Sequence, residues 1–185
     1  MNKFGKKTLR LWPWLTCGVA SWVAWRWISC AWGGFDFQDE GSYLLVSENP
    51  WRNSFSSLYG FVLHPLYLLS GQDPGWFRLL SVLVLLVGGW GLAWVWWRRA
   101  GTLPEHPFLR TGIAAVLISG ALLVYSDGRR TPSYDTLVFF GALLAWGGYL
   151  GLWHGNSFRI WAWFALVNGI LLAFLAKWPA GTLLV

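Results

Sequence analysis

Five stretches of the chain are apolar over lengths that helices use to cross a membrane, and polar residues gather at the joints between them. The pattern predicts spans at residues 11–32, 77–97, 112–125, 136–153 and 160–176. The third is short and would draw on flanking residues or local thinning of the bilayer. Between the first two, "SLYGFVLHPLYLLS" (residues 57–70) is apolar but too short to cross, and Pro65 is expected to break it. That segment suits a helix lying in the interface, or a re-entrant piece, in the first outer loop. The expected fold class is an all-α membrane protein with about five transmembrane helices, forming a single transmembrane domain over residues 1–185.

The charges orient this topology. Lys3, Lys6, Lys7 and Arg10 precede the first span, Arg98, Arg99 and Arg110 lie between the second and third, and Arg159 stands before the fifth. Basic residues mark cytoplasmic loops, so the N-terminus is expected inside. The alternate loops then face out with Asp36, Asp39, Glu40, Glu48, Asp73, Asp127 and Asp135; of the eight acids only Glu105 is inside. Lys177, after the fifth span, also comes out on the outer side. Three separate connections thus bring Asp39, Glu40, His64, Asp127, Arg129, Arg130, Asp135 and Lys177 to one membrane face.

Composition agrees with a membrane protein. The chain is 56% hydrophobic and 12% charged, roughly half the charge of a soluble domain. Its 17 Trp fit interfacial belts. The net charge of +6 would admit nucleic acid as a partner, but the basic residues sit at span ends and no nucleic-acid motif is present. Cys17 and Cys30 share the first span, about 20 Å apart along a helix, too far for a disulfide. Trp27 spoils a lipoprotein site ending at Cys30, and Arg26 interrupts the apolar run a cleaved signal peptide would need. Arg26 is also the one charge counted within a span; a transport pathway calls for more, which sets a channel or transporter aside. The chain closes on "KWPAGTLLV", which reads as a cut through a following span and so as the N-terminal part of something longer.

Several polar groups admit chemistry. Adjacent carboxylates at Asp39 and Glu40 repel near lipid, and a carboxylate of raised pKa suits a general base. The pair also suits a divalent cation, or is simply a hydrated loop. In "SDGRRTPSYDTLVFF", Arg129 and Arg130 can clamp a phosphate or snorkel to head groups. Asp135 stands where a helix begins, either as an acid favoured by the helix dipole or as a site residue. Lys177 is an anchor or a point charge for a lipid phosphate, and His64 is a structural histidine or a ligand. Gly88, Gly89, Gly147 and Gly148 are expected to serve close helix packing. No Gly-rich phosphate loop, dinucleotide fingerprint, HExxH or cysteine zinc motif is present.

Four stretches, in order, resemble the integral-membrane glycosyltransferases of the GT-C fold. The nearest branch is the bacterial group similar to dolichyl-phosphate-mannose protein mannosyltransferases and lipid A aminoarabinose transferase. "DEGSY" (Asp39 to Tyr43) looks like the acidic motif of the first outer loop. "HPLYLLSGQDPGWFRLLSVL" looks like the family's His-Pro-Pro-Leu-Tyr segment with the following Arg-Leu-x-Ser, although Leu66 stands where a second Pro is usual. "RRTPSYDTLVFF" looks like its Arg-x-x-x-Pro-Asp stretch, with Ser133 and Tyr134 inserted between Pro and Asp. "LLAFLAKWPA" looks like Phe-Leu-Thr-Lys-Gly-Pro, with Ala176 for Thr and Trp178 for Gly.

The resemblance implies a multi-pass protein of a bacterial inner membrane. It implies transfer of a sugar from a polyprenyl-phosphate donor to an acceptor glycan, lipid or protein at the outer face. Asp39 would be the base, with Glu40 supporting it or helping to hold a cation. Arg129, Arg130 and Lys177 would hold the donor phosphate, and His64, Tyr67 and Asp135 would shape the site. Family enzymes are much longer, so the resemblance equally admits a truncated, non-catalytic relative that binds a polyprenyl lipid or a partner subunit.

Overall fold

The computed structural model describes residues 3–33, 39–53, 58–100, 107–122, 131–153 and 159–177. Among these the chain is all helical: α1 (Lys3–Ser29), α2 (Asp39–Glu48), α3 (Pro50–Asn53), α4 (Tyr59–Leu69), α5 (Pro74–Ala100), α6 (Pro107–Gly120), α7 (Tyr134–Leu152) and α8 (Arg159–Ala176). Three helices are long and apolar enough to cross a membrane, over Pro74–Arg98, Tyr134–Leu152 and Arg159–Ala176. They correspond to the second, fourth and fifth predicted spans. The first and third predicted spans overlap α1 and α6 only in part, and neither helix is among these three. Helix α6 has 14 residues, about 21 Å, against a hydrocarbon core of about 30 Å.

Helix ends follow local chemistry. Asp73 accepts the Trp76 N–H at 2.8 Å through Oδ1, and Pro74 occupies the first turn, where its missing donor costs nothing. Ser133 precedes α7 in an extended conformation, and its N–H donates to Thr136 Oγ1 at 3.2 Å, one half of a capping box. The turn from α4 to α5 needs a left-handed backbone at Gly71 (φ 67°), which glycine adopts freely, and at Gln72 (φ 65°), which costs about 1 kcal/mol or more.

Two sequence expectations change. Pro65 does not break the apolar segment; α4 runs through it from Tyr59 to Leu69. The residue is exposed, so its ring disturbs no neighbouring helix, and packing on both sides holds the turn whose hydrogen bond it removes. "DEGSYLLVSE" is not a loop but helix α2. Its buried Tyr43 and Ser47 face α4, so tertiary contact supplies what this short, Gly-containing stretch lacks in propensity.

The bundle is tightest between α7 and α8. A Cβ on Gly148 would lie 2.5 Å from Leu166 N and 2.6 Å from Ala162 O; one on Gly169 would lie 2.5 Å from both Ala145 N and Gly141 O. Backbones meet there because Gly141, Ala145 and Gly148 share one face of α7, the small-residue seam of membrane helices. Gly88 abuts Phe140 of α7 and Gly89 abuts Ala121 beyond α6. Gly147, expected to do the same, meets only Leu92 Cα at 3.9 Å. One apolar core lies among α1, α5 and α7, around Val82, Leu85 and Leu122. A second joins α2, α4, α5, α7 and the end of α8, around Tyr43, Tyr59, Tyr67, Phe77, Leu137 and Ala176.

Candidate functional site

The second core gathers the ends of five helices, and Arg78 stands at its edge. This arginine lies one turn into α5 and is 4% exposed. Its Nη2 meets Glu40 Oε2 at 3.0 Å, its Nε donates to Thr131 Oγ1 at 3.3 Å, and its Nη1 donates to the Ala31 and Gly33 carbonyls, each at 3.1 Å. Glu40 closes the ring: its Oε1 accepts the Thr131 N–H at 2.7 Å. A guanidinium offers five donors in a fixed fork, which is why one arginine can hold the tail of α1, the first turn of α2 and the approach to α7 together. A buried charge pair survives only when each group is so satisfied.

Beside this node stands an aromatic box. Tyr43, Tyr59 and Tyr134 meet edge to face, with centroids 6.0 to 6.2 Å apart. The Lys177 ammonium sits 4.9 Å over the Tyr134 ring, and its Nζ lies 3.8 Å from Asp135 Oδ1, both side chains more than a third exposed. The Leu58 N–H donates to the Leu175 carbonyl at 3.0 Å, fixing the approach to α4 against the end of α8. Burial, then the neighbouring Tyr43 and Tyr134, pushes the Tyr59 hydroxyl up to about 12. Tyr67 is also raised, by burial first and by Glu48 and Asp73 after it.

The sequence-predicted residues fall as follows. Asp39 is the first residue of α2, and only its backbone is described. Glu40 is buried against Arg78 and Thr131. His64 Nδ1 lies 2.8 Å from the Ser47 carbonyl; a carbonyl only accepts, so Nδ1 carries the proton and the ring ties α4 to α2. Tyr67 packs edge to face on Phe77 with centroids 5.3 Å apart. Asp135 lies in the first turn of α7, as expected, and meets Lys177. Arg129, Arg130 and Asp127 lie outside the described residues. Among the described residues no three His, Cys, Asp or Glu side chains gather to hold a metal ion. Glu40, the carboxylate expected to share a cation with Asp39, is turned to Arg78 instead.

Sequence reading missed Arg78. It counted Arg26 as the one charge inside a span, yet Arg78 falls within the predicted span 77–97. An ionisable residue inside an apolar run was the available signal, while its buried partner Glu40 is visible only in the fold.

No family model matches the chain, and no curated protein or solved structure matches it.

Proposed function

We propose that this protein transfers a sugar from a polyprenyl-phosphate donor to an acceptor hydroxyl at the outer membrane face. The reading rests on the resemblance of four sequence stretches to GT-C glycosyltransferases, and it carries with it the five-span topology and the cytoplasmic N-terminus. One structural observation supports it best. Tyr134 at the start of α7 is touched by Tyr43 of α2, Tyr59 of α4 and Lys177 at the end of α8. Helix α2, which begins at Asp39, and a cation thereby meet at one helix opening, where Asp135 stands beside Lys177. Aromatic faces beside a cation and an acid suit a sugar joined to a phosphate.

In this reading Asp39 takes the proton of the acceptor hydroxyl, and the acceptor oxygen forms a bond to the anomeric carbon. The bond from that carbon to the phosphate oxygen breaks, and polyprenyl phosphate leaves. Lys177, with Arg129 and Arg130, compensates the charge that develops on the phosphate. Glu40 acts on Asp39 only by fixing the first turn of α2 through Arg78.

The test uses the purified protein in proteoliposomes with polyprenyl-phosphate sugars. Transfer that is abolished by Asp39→Asn, in a protein that still inserts and retains its melting temperature, is the expected result. Undiminished transfer by that variant would remove Asp39 from the reaction. The burial of Glu40 against Arg78, which takes one of the two expected acids out of proton chemistry, favours a second reading: a relative that binds polyprenyl phosphate without turnover. Binding dependent on Arg129 or Arg130 with no sugar release would select it.

A further inference from the structure

At the opposite end of the bundle a cavity of about 320 Å³ opens between α5, α7 and α8. It runs from Gly88 and Phe140 in mid-bundle to Arg98 and Trp161 at the helix ends. Along α5 that distance is about 15 Å at 1.5 Å per residue. Among the described residues its lining is hydrocarbon and glycine, with Arg98 as the one charged residue, and that guanidinium lies 4.9 Å over the Trp94 ring. Trp94 and Trp161 flank the opening and are both exposed, as indoles are where head groups begin.

The glycines explain why the space exists. A Cβ on Gly91 would meet nothing within 4 Å, and one on Gly147 only Leu92 Cα at 3.9 Å. These two are not required by backbone contact, unlike Gly148 and Gly169. What their missing side chains provide is room. An apolar slot open at one end, with a cation at that opening, complements an amphiphile whose chain is hydrocarbon and whose head is an anion.

We propose that this groove is a binding site for an anionic glycerophospholipid of the leaflet at the Arg98 end. One acyl chain lies along Gly91 and Gly147, and the phosphate meets Arg98. The site is separate from the outer-face node, so it stands or falls independently of sugar transfer.

The test is native mass spectrometry of the full chain released from vesicles of equal phosphatidylglycerol and phosphatidylcholine. Phosphatidylglycerol should be retained over phosphatidylcholine by about five-fold, the ratio one interfacial cation gives. Arg98→Gln should equalise the two lipids. Gly91→Leu with Gly147→Leu should fill the groove and lose both lipids, while the melting temperature of the variant holds. Equal retention of the two lipids by the unaltered protein would overturn the proposal. So would retention untouched by the paired leucines, or preferential capture of undecaprenyl phosphate when it is added to the same vesicles.

Discussion

Arg78 Nη2 stands 3.0 Å from Glu40 Oε2, and neither side chain is more than 5% exposed. The pair joins residues 38 positions apart and, through Thr131, a third segment 53 positions further along. Removing either partner strands the other charge in an apolar surround, at a cost of about 3–5 kcal/mol. Arg78→Met and Glu40→Gln should therefore each lower the melting temperature sharply. The double variant should recover a large part of the loss, because no uncompensated charge remains. A double-mutant cycle on detergent-solubilised protein, followed by size-exclusion monodispersity, measures the coupling. Additive losses would make the pair incidental.

The glycines separate into two classes with opposite expected behaviour. Gly148→Ala and Gly169→Ala force a Cβ against the backbone of the neighbouring helix, about 2.5 Å from its nearest atoms, and overpacking of this kind costs about 1–3 kcal/mol. Gly91→Ala meets nothing and gains helix propensity, about 1 kcal/mol in a helix interior. Thermal melts of the three variants should fall on either side of the parent protein. A destabilised Gly91→Ala would mean that the α5–α7 space is filled by packing.

How far these features could be read from sequence depends on the range of the interaction. Helices α5, α7 and α8 are legible because an apolar run is a local property, and Asp73-Pro74 and Ser133 mark two of their starts. The grouping of Asp135 with Lys177 at one end of the bundle was legible from charge bias and the alternation of spans. Helix α2 was not, since Gly41 and its mixed polarity argue for a loop and the contacts with α4 that stabilise it lie in another segment. Arg78 escaped for the same reason: its meaning lies in Glu40 and Thr131. Pro65 misled because proline's local cost is fixed while the packing that offsets it is not visible in sequence.

Tyr59 gives this end of the bundle a signature in alkali. Its hydroxyl is pushed from 10.0 to about 12 by burial and by its tyrosine neighbours. A raised pKa means that the folded state holds its proton where the unfolded state would lose it. The contribution to stability is thus complete below pH 10 and is lost as the pH climbs from there through about 12. Phenolate absorbance should show a late-titrating tyrosine that is missing in Tyr59→Phe, and the alkaline fall in melting temperature should be shallower in that variant. An unchanged titration curve would place the late proton elsewhere.

Asp135 and an incoming phosphate would compete for the Lys177 ammonium. Their contact is 3.8 Å long and half exposed, a geometry worth between nothing and about 1 kcal/mol. A phosphate approaching Tyr134 would meet the ammonium held over that ring, and the carboxylate beside it would both hold the ammonium back and repel the anion. Lys177→Gln should then weaken binding of undecaprenyl phosphate by about five-fold. Asp135→Asn should strengthen it by a smaller factor, while the backbone hydrogen bonds that open α7 keep the helix in place. Titration of the lipid into nanodisc-held protein at two ionic strengths distinguishes this from a change in folding, since both effects should shrink at high salt. If Asp135→Asn weakens binding instead, the carboxylate acts by orienting Lys177 and not by opposing the phosphate.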